Sequence, residues 1–165
     1  MSALSQQKDL LELELPSDPR FLAEVRRTLR DWSLQHRWTA QQAAKIALAV
    51  DEAITNIIRH AYKCDPNNRI LLTVRAIRKP SEGVEIRLRD FGQFCNPEQI
   101  QGRALEDIRP GGLGVHIIRA MMDFVEYAPA PGGGTLLIMR KFRASKAAKP
   151  EVAKNAEPRK RSANQ

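Results

Sequence analysis

A chain of 165 residues that is 42% apolar and 28% charged fits one domain with an ordinary hydrophobic core, and the composition excludes wholesale disorder and collagen-like or mucin-like chains. The two cysteines, Cys64 and Cys95, form no Cys-x-x-Cys pattern and no cluster with histidine, which excludes a disulfide framework and a zinc finger. The net charge of +8 raises nucleic acid as a partner, while the lack of an apolar stretch near ~18–20 residues and of a secretory leader pattern points to a cytoplasmic protein with no membrane contact.

Residues 9–15 alternate well enough for a half-buried strand, and Pro16, Ser17, Asp18 and Pro19 then break it. Phe21, Leu22, Val25, Leu29 and Trp32 recur at helical spacing, with Ser17 or Asp18 able to cap and Pro19 suited to the first turn. Thr39 and Gln42 match a capping box, and the segment from there to about residue 62 has no Gly or Pro. This predicts a second long helix. A turn at 64–68 leads to strands near 70–77 and 84–89; in the latter Val84, Ile86 and Leu88 face inward and Glu85, Arg87 and Arg89 outward. Residues 96–114 read as a long irregular segment with a short helix near 97–101, and long loops in compact domains are usually functional. A helix over 113–123, a strand near 124–127, a Pro-Gly turn and a last strand over 134–142 complete the domain. Trp32 and Trp38, which flank the junction of the first two helices, read as core. Residues 144–165 hold six basic and two acidic side chains and no aromatic, which reads as a solvated, disordered tail beyond a domain of residues 1–143. Strands and helices that do not alternate strictly predict an α+β fold or two-layer α/β sandwich, with a sheet covered by helices on one face.

Three places combine polar groups with an apolar or glycine-rich setting. Glu52 and Asn56 are four apart on the second helix, hence on one face, and two such oxygens suit a hard cation such as Mg2+. An ordinary solvated contact would have the same spacing. Asp51 projects ~100° away from Glu52 and reads as surface. Asp90-Phe91-Gly92 places an acid at a strand end, where a carboxylate can accept from an exocyclic amine, and a glycine that lets a flat ring approach the backbone. The same letters occur in eukaryotic-type protein kinases, but the Gly-rich loop, the lysine strand and the His-Arg-Asp loop of that fold are missing. Arg109-Pro110-Gly111-Gly112-Leu113-Gly114 runs into a helix, a setting whose free N–H groups and dipole attract phosphate. It is neither a Walker A motif nor a dinucleotide fingerprint.

In order and spacing, the three places resemble the N box and the two glycine boxes of the GHKL ATP-binding (HATPase) fold, the Bergerat-type fold shared by gyrase, Hsp90, histidine kinases and MutL. Glu52-Ala53-Ile54-Thr55-Asn56 before Arg59-His60-Ala61-Tyr62, and Gly111-Gly112-Leu113-Gly114 before Ile117, Ile118, Met122 and Asp123, resemble the branch of bacterial anti-sigma-factor serine/threonine kinases over residues 9–143. The resemblance implies a mixed, mainly antiparallel sheet, with Asn56 coordinating Mg2+ and Asp90 holding the adenine amine. It implies that Gly92 admits the base, that Arg109, Gly112 and Gly114 lie over the phosphates of ATP, and that Thr135 supports the adenine site. Glu52 would be the general base or water positioner, and Arg59 or His60 could face the phosphates. His116, where an apolar residue is commoner, reads as structural. The implied function is that of an anti-sigma factor that binds ATP and Mg2+, phosphorylates a serine or threonine of an anti-anti-sigma (STAS) partner and so controls release of a sigma factor. Relatives pair through the sheet edge formed by the first strand, which makes a homodimer an open expectation. The alternatives are a module of the same fold that binds nucleotide and switches partners without transfer, a histidine-kinase fragment that lacks its phosphoacceptor helix pair, and weakest, nucleic-acid binding through the tail.

Overall fold

The structure is a computed structural model that describes residues 2–7, 9–94 and 113–143. Six strands, β1 (Ser2–Gln7), β2 (Leu10–Pro16), β3 (Arg69–Ile77), β4 (Gly83–Arg89), β5 (Phe124–Pro129) and β6 (Thr135–Phe142), form one sheet in the order β1-β2-β3-β4-β6-β5. Every neighbouring pair among them is antiparallel, so the sheet is wholly rather than mainly antiparallel. Helices α1 (Leu22–Gln35), α2 (Ala40–Asn56) and α3 (Leu113–Met121) cover one face. The α+β, two-layer architecture is as expected. The last 22 residues, the short helix placed near 97–101 and most of the glycine-rich segment lie outside the described residues.

Period-two patterning in the strands meets period-3.6 patterning in the helices to make one core. Leu11, Leu13 and Leu15 of β2, Ile70, Leu72 and Val74 of β3, and Val84, Ile86 and Leu88 of β4 are all buried. They pack against Val25, Leu29 and Trp32 of α1 and Ile46, Val50 and Ile54 of α2. Trp38 joins this core as well. The starts of α1 and α2 follow from capping chemistry. Asp18 accepts from the Arg20 N–H at 2.9 Å to open a 3-10 turn that feeds α1. Thr39 and Gln42 close a reciprocal capping box on α2, with Gln42 N donating to Thr39 Oγ1 at 3.2 Å and Thr39 N to Gln42 Oε1 at 3.0 Å.

Four details depart from the sequence reading. The first strand in the chain is β1, which pairs with β2 through a register shift between Ala3 and Ser5, ahead of the strand expected at 9–15. The second helix ends as an α-helix at Asn56 and continues as a π-helical turn, Ile57–Ala61. Asp51 is not a surface residue: its carboxylate is largely buried, 3.3 Å from Arg26, and burial raises its pKa against the opposing pull of that arginine. Glu85 does point to the open face of the sheet, yet only 4% of it is exposed, because Arg75, Arg87 and Arg140 close over it.

Candidate nucleotide site

Glu52 and Asn56 stand half-buried on the last turns of α2, and α3 begins directly above them. A Cβ on Gly114, the second residue of α3, would lie 3.0 Å from Glu52 Oε2 and 3.1 Å from both Oδ1 and Nδ2 of Asn56. The carboxylate of one and the amide of the other therefore converge on a single point under the start of α3. Only a residue without a side chain fits there with both groups in place. Arg59 and His60, in the π-turn that follows, are exposed, and so is His116 on α3.

A second group of residues forms where β4 ends. Asp90 is 2% exposed. Its Oδ1 accepts from the Gly92 N–H at 3.0 Å and the Thr135 N–H at 3.2 Å, and its own N–H donates to the Thr135 carbonyl at 3.0 Å. The β4–β6 register sets Asp90 beside Thr135, one step beyond the Arg89↔Leu136 pair. There the side-chain oxygen of Asp90 takes a ladder hydrogen bond that a carbonyl would otherwise receive. The Asp90 carbonyl instead accepts from Arg89 and packs on Gly134, whose φ of +79° and the clash that any Cβ would make with that carbonyl leave no room for another residue. Two backbone donors on one oxygen hold the carboxylate in a fixed orientation.

The two groups share a wall. A Cβ on Gly92 would lie 2.7 Å from the Ala61 carbonyl, so the turn after β4 packs against the end of the π-turn that follows Asn56. Tyr62, next in the chain and buried, accepts from the Phe91 N–H at 2.7 Å and donates to the Arg69 carbonyl at 2.6 Å. Phe91 is 40% exposed and lies between the guanidinium groups of Arg69 and Arg89, each 4.5 Å from its ring centroid. An open cleft of about 820 Å3 borders Tyr62, Phe91, Arg69, Asn68 and Glu14. None of Glu52, Asn56, Asp90 or Thr135 lines it, so it lies behind the wall rather than in the site.

The structure thus joins Glu52, Asn56 and Gly114 in one cluster and Asp90, Gly92 and Thr135 in another. Arg109 and Gly112 lie outside the described residues. The participation of Tyr62 was missed in the sequence reading. Its place directly after the expected N-box helix was the available signal, but a tyrosine there gives no hint that its hydroxyl reaches a loop 29 residues away.

The family profile of histidine kinase-like ATPase domains matches residues 15–141. The chain belongs to that family. Among curated relatives of this histidine kinase-like ATPase domain, serine/threonine-protein kinase BtrW of Bordetella bronchiseptica is 29% identical over 139 residues, covering 82% of this chain and 94% of its own. Serine-protein kinase RsbW of Bacillus subtilis is 26% identical over 122 residues, covering 71% and 76%. A crystal structure of the RsbU and RsbW domains of Rv1364c from Mycobacterium tuberculosis superposes with a TM-score of 0.59 at 19% identity. It covers 81% of this chain and 32% of that one, and at this identity it speaks for the fold alone. Among the described residues no helix is long and apolar enough to cross a membrane.

Proposed function

We propose that this histidine kinase-like ATPase domain is a protein serine/threonine kinase that transfers the γ-phosphoryl group of ATP to a hydroxyl on an anti-anti-sigma partner of STAS type. The observation that carries this reading is the convergence of Glu52 and Asn56 under Gly114. Phosphoryl transfer asks of the protein mainly positioning and charge compensation, plus a group that orients or deprotonates the nucleophile. A rigid helix that offers an amide oxygen and a carboxylate one turn apart, below the start of a second helix, supplies both.

Within this reading Asp90 accepts from the adenine amine through the carboxylate that Gly92 and Thr135 orient, and Gly92 leaves room for the base. Arg109, Gly112 and Gly114 belong to the segment over the phosphates. The donor set fits Mg2+: a hard cation takes one or two protein oxygens alongside phosphate and water oxygens, and Asn56 offers such an oxygen with Glu52 beside it. No group of three or more His, Cys, Asp or Glu side chains forms a metal cage among the described residues, as suits an ion that arrives with its nucleotide. Bound there, Mg2+ would neutralise charge on the phosphate oxygens. Glu52 would accept the proton of the incoming hydroxyl. The names of the relatives BtrW and RsbW, a serine/threonine- and a serine-protein kinase, support transfer rather than nucleotide binding alone.

The same reading makes the protein a cytoplasmic anti-sigma factor that holds a sigma factor or its STAS partner according to the partner's phosphorylation. A pairing of two copies and a separate tail over residues 144–165 belong to this proposal too, although the strand expected at 9–15 to form the pairing edge is β2, which lies between β1 and β3. Incubation of the full chain with Mg-ATP labelled in the γ position and a STAS protein of the same genome tests it. The label is expected to move to the STAS protein, and Glu52→Ala is expected to cut transfer by roughly a hundredfold or more while ATP still binds. Equal transfer by the variant would remove Glu52 from catalysis, and no labelling of any STAS partner by the parent would leave a nucleotide-dependent binding module instead.

A further inference from the structure

We propose that Tyr62 is a positioning residue for nucleotide recognition, whose hydroxyl holds the Asp90-Phe91-Gly92 turn at its working distance from β3. The proposal deepens the reading of Asp90 as the adenine-binding carboxylate and rests on it.

β3 and β4 pair antiparallel with Leu71 opposite Arg89, so two steps further Arg69 lies opposite Phe91. Hydrogen-bonding pairs alternate along an antiparallel ladder. Asp90 bonds toward β6 through Thr135, which directs the N–H of its neighbour Phe91 toward β3. In a continued ladder that N–H would donate to the Arg69 carbonyl. Here the Tyr62 hydroxyl occupies the gap, accepting from Phe91 at 2.7 Å and donating to Arg69 at 2.6 Å. The two strands are held apart by one oxygen atom, at the place where the chain must leave the sheet and turn toward the base.

This wedge is anchored on the opposite side of the site. Tyr62 follows the π-turn Ile57–Ala61, which begins directly after Asn56, and Ala61 is the residue against which Gly92 packs. The distance from Asn56 to Asp90 is therefore set by a short stretch of backbone and one hydroxyl group. Tyr62 is 7% exposed, and burial raises its pKa, which keeps the proton that it donates to Arg69. A π-turn at this point brings the ring to the end of the central strands β3 and β4, in keeping with the frequent occurrence of such turns at functional sites.

Tyr62→Phe keeps the ring and its packing but removes the wedge. The Phe91 N–H must then find the Arg69 carbonyl directly or remain unpaired, and either result moves Asp90 relative to Thr135. Calorimetric titration of the full chain with Mg-ATP and with Mg-ITP, which lacks the exocyclic amine, tests this. The variant is expected to bind ATP roughly fivefold or more weakly while ITP binding changes little, so that the preference for ATP collapses. A purely structural role would lower Tm and weaken both nucleotides alike. That result, or an unchanged Kd for ATP, would overturn the proposal. A parent protein with no preference for ATP over ITP would instead contradict the reading of Asp90 itself. If the variant does not fold, amide exchange in the parent decides: protection of the Phe91 N–H comparable to that of β4 supports the wedge, and rapid exchange contradicts it.

Discussion

At Gly114 a hydrogen atom stands where a methyl group would press on the Glu52 carboxylate and the Asn56 amide together. Gly114→Ala is expected to leave the fold intact, because the nearest atoms are side-chain ends that can yield, and because alanine is the better helix former. It should instead displace the two groups from their shared point, and phosphotransfer should fall roughly tenfold or more, with a smaller loss of ATP affinity. A stopped assay and a calorimetric titration on the same preparation would measure both. At this scale the sequence was informative where chemistry depends on spacing along one element: Glu52 and Asn56 share a helix face, and Asp90 ends a strand, as read. It was uninformative where atoms from distant segments meet. Asp51 was read as surface because helical geometry says which way a side chain projects, not whether α1 with Arg26 stands in front of it.

Among the elements, β4 carries the most unusual interaction. Glu85 lies beneath three guanidinium groups on the open face of the sheet, with Arg140 Nε at 2.7 Å, Arg87 Nε at 2.9 Å and Arg75 Nη2 at 3.1 Å. Burial opposes its ionisation, but the Arg140 hydrogen bond and the charges of Arg87, Arg140 and Arg75 outweigh this and hold its pKa below the ordinary 4.5. The arginine side chains are partly exposed, 57%, 45% and 34% for Arg75, Arg87 and Arg140, so screening limits the gain. Glu85→Gln should cost about 1–2 kcal/mol at neutral pH in urea unfolding. A carboxylate with a lowered pKa in the folded state contributes stability that is complete above its unfolded value and is lost as pH falls through the folded one. The difference between parent and variant should therefore shrink below pH 4.5 and vanish in stronger acid. Alternation along β4 told which way Glu85 points. It could not tell that arginines from β3 and β6 would bury it, since those contacts arise from register between strands. β1 escaped notice for a related reason: Ser-Ala-Leu-Ser-Gln-Gln carries almost no hydrophobic period, and a strand at a sheet edge gains its order from backbone pairing with β2. The π-turn after Asn56 has no sequence period of its own, so the helix read as continuous to Tyr62.

For the whole molecule, the sheet and its helix layer were legible because the core strands alternate cleanly and the long helices carry caps and an apolar stripe. The candidate site was legible as a resemblance to a family pattern of three separated motifs. Its geometry depends on the way Gly92 packs on Ala61 and Gly134 on Asp90, two backbone contacts that no residue pattern encodes. In the proposed reading, these contacts put the amide that would hold the metal and the carboxylate that would read the base on two sides of one nucleotide. Calorimetric titration of the full chain with Mg-ATP, in the parent and in Asn56→Ala and Asp90→Asn, tests that claim most directly. The parent should bind, and each variant should lose roughly tenfold or more in affinity, Asn56→Ala because an oxygen for the metal is gone and Asp90→Asn because an amide N–H2 would face the base amine. Absence of binding heat in the parent, or parental affinity in both variants, would contradict the account.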